Sequence, residues 1–299
     1  MTSRVVKKVA SIPTFRPRIQ ELVISREIDT SYLVGPQPLL KSLTISGNYP
    51  SPLERIMANA TNFGLEKKRI TTLHLYSPPN SPALPDSLLQ RLQTLHVGLK
   101  GDPVLLHEYC IVIQKACNLR ALHITPDRGS APAVSHPSVP YLSIVYPELW
   151  NTNEDYSLEE VKMPRLQALV IEASCPKPLT QLKLIGALVL SLRLTCRPRR
   201  IYGNTGVASE ISWVDGIVHL LRSISHLKTM EISAPSSLVS DLSEALENDR
   251  SLCTELESFT FKEGTDIRTE GDNKKATFDQ LREKVANLMM KRQCNVLAH

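Results

Sequence analysis

The 299-residue chain lacks most of what a conventional enzyme site is built from. It has 12 glycines, sparse for a nucleotide-binding α/β enzyme, and no glycine-rich phosphate loop. It has no G-x-S-x-G nucleophile elbow. The pair His107-Glu108 does not continue into a zinc helix, because Ile111 stands where the second histidine would be. Aromatic residues make up only 5%, so the core must be aliphatic and a large aromatic-lined cofactor cavity is disfavoured. Six cysteines are present, Cys110, Cys117, Cys175, Cys196, Cys253 and Cys294, and none form a C-x-x-C pair. The longest nearly uncharged apolar stretch, 182–194, includes Lys183 and Arg193 and is too short and interrupted to span a bilayer. These absences predict a protein that is not an enzyme, with no cofactor, no metal and no membrane partner.

Charge of one sign is also scarce. The formal net charge is +5, with short basic clusters at Lys67-Lys68-Arg69 and at Arg197, Arg199 and Arg200. Nucleic-acid binders concentrate such charge on one face or helix, so these read as solvated loop charges and a nucleic-acid partner is not expected. Residues 1–10 carry Arg4, Lys7 and Lys8 with no apolar run behind them, unlike a secretory signal. The expectation is a cytoplasmic or nuclear protein with reduced thiols.

What the chain does have is a repeat: aliphatic, two variable residues, aliphatic, one variable residue, aliphatic. The clearest copies are Leu40…Leu43…Ile45, Ile70…Leu73…Leu75, Leu92…Leu95…Val97, Leu119…Leu122…Ile124 and Leu166…Leu169…Ile171. Five looser ones begin at Ile19, Val139, Val189, Leu227 and Leu256. The mean spacing is about 26 residues, within the range of leucine-rich repeats. Residues two apart in a strand face the same way, so Leu122 and Ile124 point inward and His123 and Thr125 outward. One repeat cannot bury its apolar face alone, whereas stacked repeats bury a continuous aliphatic column behind a parallel sheet.

Several return segments read as helices. Pro52–Phe63 follows Ser51, and Pro103–Ala116 follows Asp102, each a cap followed by proline. In the second, Leu106, Cys110, Ile113 and Cys117 mark an inward stripe. Ser209 or Ser212 starts another helix, in which Trp213 is read as packing, and Ser237 starts a fourth. Ser77–Ser87, Arg128–Ser138 and Asn151–Tyr156 read as loops. The predicted organisation is an N-terminal extension over 1–17 and a solenoid of about ten irregular repeats over 18–264. A disordered loop over 265–276 and a capping helix region over 277–299, with Thr277 as its N-cap, follow. The fold class is α/β: a leucine-rich-repeat solenoid with a curved parallel inner sheet and outer helices and loops.

From Arg18 to Gly264 the chain resembles the leucine-rich-repeat region of fungal, basidiomycete-type F-box-like proteins. The segments that carry the resemblance are RITTLHLYSP, RLQTLHV, KACNLRALHITPD, MPRLQALVIEAS and SISHLKTMEIS. In that family the repeats recruit a protein target, and an F-box docks on the Skp adaptor of a cullin ubiquitin ligase. The resemblance therefore implies substrate recruitment in the ubiquitin pathway. No F-box is detectable among the residues before the first repeat, so no adaptor-docking residue carries over. A Skp adaptor is expected only if an F-box lies outside this chain. The asparagine ladder of regular repeats is also missing. Asn48 fits that place, but other copies offer Glu27, Pro78, Asp127, Ser174 and Pro235. A repeat scaffold with no ubiquitin link stays open as the first alternative, and behind it an enzyme whose site the sequence does not display or a weak nucleic-acid binder.

Repeat arithmetic places a row of side chains on the concave sheet face, the expected protein-binding surface. His74, His96 and His123 fall at one position of three consecutive copies and form a ladder at roughly strand spacing. Such a ladder reads either as an anion, metal or pH-sensitive contact, or as polar β-formers on an open sheet. Tyr76, Thr125, Glu172 and Arg193 complete the partner-binding set, with Glu172 and Arg193 expected to pair with each other.

Overall fold

The computed structural model describes residues 20–25, 40–46, 69–76, 84–98, 103–126, 129–131, 133–146, 156–158, 160–197, 212–263 and 273–296. Ten strands form one sheet in strict chain order. They are β1 (Glu21–Ser25), β2 (Ser42–Ser46), β3 (Thr72–Tyr76), β4 (Thr94–Gly98) and β5 (Ala121–Thr125). The series continues with β6 (Tyr141–Val145), β7 (Ala168–Ala173), β8 (Ser191–Cys196), β9 (Thr229–Ala234) and β10 (Ser258–Glu263). Every neighbouring pair is parallel. The second and third aliphatic positions of all ten copies lie on these strands, with equivalent positions side by side. Leu73, Leu95, Leu122 and Leu142, for example, stand in one line across β3 to β6.

The alternation that made the repeat visible also divides the sheet into two faces. The second and third aliphatic positions lie inward; Leu95 and Val97, and likewise Leu122 and Ile124, are at most 1% exposed. The first aliphatic residue of each described copy precedes its strand and turns into the same core. Leu40, Ile70, Leu92, Leu119, Val139, Leu166, Val189, Leu227 and Leu256 are all buried. A backbone device locks this corner. The N–H of the residue before the strand and that of the first strand residue both donate to one carbonyl of the preceding coil. Gln93 and Thr94 share the Thr71 carbonyl at 2.8 and 3.0 Å, and Arg120 and Ala121 share that of Gln93. Pro140 stands at this position before β6 and cannot donate.

The returns are uneven, as the missing asparagine ladder implies. Helices α1 (Asp86–Leu89), α2 (Pro103–Lys115), α3 (Lys177–Gln181), α4 (Trp213–Arg222), α5 (Ser236–Asn248) and α6 (Asn273–Val296) lie among them. Ser212 caps α4, its Oγ accepting from the Val214 N–H at 3.1 Å. Trp213 packs half-buried against the core. Leu281, Val285 and Leu288 form the buried stripe of α6, which packs on α5 and β10 at the last coil. Among the described residues no helix is long and apolar enough to cross a membrane.

Several local expectations need correction. Ser77–Ser87 is not all loop: α1 begins at Asp86, directly after Pro85, whose fixed φ suits a helix start. Short strands Gly129–Ala131 and Val134–Ser135 interrupt the expected Arg128–Ser138 loop, and Tyr156 opens strand Tyr156–Leu158. The first of these pairs with the third, and Val134–Ser135 joins Glu160–Lys162 and Lys183–Ile185 in a small parallel outer sheet. Two or three residues carry too little alternation to announce a strand. Cys117 is exposed instead of inward, because α2 ends at Lys115; Tyr109, Val112, Ile113 and Ala116 fill the buried face. α5 starts at Ser236 behind Pro235, one residue earlier than expected. α6 starts at Asn273, so Thr277 lies inside the helix and 273–276 are helical. The rest of the predicted disordered loop, the N-terminal extension to residue 17 and the Pro52–Phe63 helix lie outside the described residues.

Candidate functional site

The outward face of the ten-stranded sheet carries parallel rows of side chains. Strand register brings His74, His96 and His123 onto one line, with Thr44 before them and Ser143 and Val170 after. The next row holds Tyr76, Gly98 and Thr125 in β3 to β5, and later Glu172 beside Thr195. The contacts of the Tyr76 side chain lie outside the described set.

The three imidazoles stack. Ring centroids of His74 and His96 are 3.8 Å apart with planes 14° from parallel. His96 and His123 are also 3.8 Å apart, at 4°. Tyr141 closes the stack, tilted 49° to His123 at 5.4 Å. Parallel strands lie roughly 4.8 Å apart, so the rings lean together until their faces touch. Burial in the row lowers all three pKa values. His96, in the middle, is pushed down to about 3 by burial and by the two neighbouring imidazoles. Glu21 partly offsets the effect at His74. At neutral pH the ladder is therefore an uncharged, aromatic and hydrogen-bonding surface. Among the described residues no group of three or more His, Cys, Asp or Glu side chains could hold a metal ion.

Charge gathers at the other end of the face. Arg193 does not pair with Glu172, contrary to expectation. Its NH2 group lies 2.9 Å from Glu231 Oε2, and Lys262 Nζ lies 2.6 Å from Glu231 Oε1. Register explains the choice. Glu231 sits directly opposite Arg193 across β8 and β9, whereas Glu172 is opposite Thr195. Directly opposed residues are the closer pair in a sheet. Glu172 instead pairs at 2.9 Å with Arg197, just beyond β8. Lys262 and Arg193 together hold the Glu231 carboxyl below its ordinary pKa. Glu231 and Lys262 fall at the concave-row positions that the repeat spacing assigns them; Arg197 stands past the strand and gave no periodic signal.

One histidine off the ladder is structural. His136 is fully buried; the Ser138 N–H donates to its Nδ1 at 3.1 Å, so its Nε2–H donates to the Ala116 carbonyl at 3.2 Å. Both ring nitrogens are then satisfied in the neutral form, and burial lowers its pKa.

No protein-family model matches the chain, and no curated protein matches it.

Proposed function

We propose that the chain is a leucine-rich-repeat solenoid whose open sheet face recruits a protein partner. By resemblance, it serves as the substrate-recruiting repeat region of an F-box-type ubiquitin ligase component. One observation carries the recognition reading: ten in-register strands turn an aliphatic face into the core from β3 to β9 and turn the other outward as continuous rows of side chains. That face pairs a neutral platform of Thr44, His74, His96, His123 and Thr125 with a charged end at Arg193, Glu231 and Lys262. Hydrogen-bonding rings and threonines on a rigid sheet offer contact area at little entropic cost, the mixture favoured in protein interfaces. Charges neutralised within the face argue against a polyanion partner there.

The test uses the tagged full chain in cells that express it naturally. Partners recovered with the wild-type chain should be lost from Thr125→Arg and from His96→Asp. They should persist with Arg165→Glu, which alters an exposed turn off the face. Loss from none of the face variants ends the recognition reading. Co-recovery of the Skp adaptor separates a ligase component from a free scaffold, which is the outcome if partners bind and the adaptor does not.

A further inference from the structure

We propose that a second site, at the strand-entry rim of coils three to five, binds a phosphate monoester group. A cleft of about 460 Å³ opens there, lined by Arg69, Arg91 and Arg120 with Gln90, Gln93 and Asn118. The repeat explains why these residues meet. Ile70, Leu92 and Leu119 turn into the core, so the residues on either side of each must turn out. Two rows result: Arg69, Arg91 and Asn118 before the buried position, and Thr71, Gln93 and Arg120 after it. Lys41 extends the second row by one coil, since Ser42 is paired with Thr72. Neither row contains a carboxylate in these coils.

The same two rows look different at the far end of the sheet. There His226 Nδ1 lies 2.9 Å from Glu255, and Lys228 Nζ lies 2.8 Å from Glu257, each basic side chain matched by a carboxylate on the next coil. At coils three to five the equivalent places hold arginines, threonine and amides. Arg69 and Arg120 are exposed and form no ion pair among the described residues. Arg91 is held at the cleft wall by its Nε–H, which donates to the Ser87 carbonyl at 2.8 Å. Asn118 is held likewise, donating to the Gln90 carbonyl at 2.6 Å. On α1, the Asp86 carboxylate is engaged by Lys115 at 3.4 Å.

The chemistry of the cleft selects the ligand. Guanidinium forks match the oxygen geometry of phosphate and grip it bidentately. They stand on three adjacent coils whose strands lie about 4.8 Å apart, Arg69 and Arg91 in one row and Arg120 in the other, and such a set suits a dianion. The amides add neutral donors. This inference stands apart from the open-face reading, because none of its residues lies on that face.

The experiment measures binding to the full chain of three probes: a fluorescent phosphoserine peptide, its unphosphorylated twin and a single-stranded oligothymidine, with inorganic phosphate as competitor. The phosphopeptide should bind at least about tenfold more tightly than its twin, and inorganic phosphate should displace it. Arg69→Gln and Arg120→Gln should each weaken it about tenfold, the worth of one charge-assisted hydrogen-bonded contact. Arg120→Lys should weaken it too, since the charge stays and the fork goes. Arg165→Gln, in the row of Arg69 and Arg91 but two coils beyond the cleft, should change nothing. Displacement by phosphate at the affinity of the peptide itself assigns the site to the bare group; a tighter peptide assigns it to a phosphorylated protein. Equal binding of the twin, affinity unmoved in both Arg69→Gln and Arg120→Gln, or stronger binding of oligothymidine through these arginines would overturn the proposal. Circular-dichroism melts of each variant separate lost binding from lost folding.

Discussion

The imidazole of His96 lies face to face with that of His123, centroids 3.8 Å apart and planes within 4°. Two protonated rings at that separation would repel, and His74 on the other side adds the same constraint. The stack is thus compatible with the neutral form and resists protonation.

Stability should fall as the solution is acidified. The unfolded chain takes up protons at its histidines near pH 6.5. The folded ladder does so only at lower pH, about 3 at His96, and His74, His123 and His136 are lowered in the same direction. Between those values the unfolded state binds more protons, so stability rises with pH. The contribution is fully present above pH 6.5 and drains away as the pH drops toward 3. Thermal melts from pH 7.5 to 4.5 should show a declining midpoint, and His96→Gln should flatten the decline. Equal slopes for the two proteins would mean the ladder does not resist protonation. Proton-detected titration of the His96 ring should show it still neutral at pH 5.

The core should be sensitive one leucine at a time. Leu95 and Leu122 are adjacent members of the aliphatic line and both are 0% exposed. Truncation removes buried methyls and leaves a void that the flanking coils close only partly. Leu95→Ala and Leu122→Ala should each cost about 2–5 kcal/mol. Urea denaturation of the two variants measures this, and midpoints equal to wild type would place the residues outside the core.

How far the sequence speaks is clear from such residues. Leu95 and Leu122 were legible because burial imposes two periods at once, alternation along the strand and recurrence from coil to coil. The same arithmetic put His74, His96 and His123 in one row, since a residue between two buried ones must face outward. It stopped short at Arg193, where two carboxylates were within a strand of it. Only the register shows that Glu231 is opposite and Glu172 diagonal. Arg69, Arg91 and Arg120 were harder still, because the repeat scatters them along the chain and gathers them in space. The turn at Asp86 was hidden by the prolines around it. Segments of two or three residues such as Val134–Ser135 are chosen by their neighbours, and nothing in their own pattern marks them.

The charged end of the open face should add little to stability. Arg193 and Lys262 have side chains 58% and 70% exposed, against 24% for Glu231. Water screens such pairs, and fixing two long side chains offsets part of the attraction. Glu231→Gln keeps the shape and one acceptor and should cost no more than about 1 kcal/mol. The loss should shrink further in high salt. A larger loss in guanidinium titrations would reveal a tertiary role beyond the ion pairs.

Gly216 tests how closely two outer helices approach. It lies in α4 against the turn that opens α3. A Cβ added there would come within 3.0 Å of the Pro176 carbonyl oxygen and 3.2 Å of the Pro176 Cβ. Alanine is the better helix former by roughly 0.5–1 kcal/mol, which opposes the strain of that contact, so Gly216→Ala should leave stability nearly unchanged. Valine gains much less in helix propensity and adds two methyl groups against backbone that cannot swing aside. Gly216→Val should therefore cost about 1–3 kcal/mol, the usual penalty of overpacking. Thermal melts of the two variants side by side give the answer: a wild-type midpoint for valine would mean that α3 and α4 are not in tight contact at this residue.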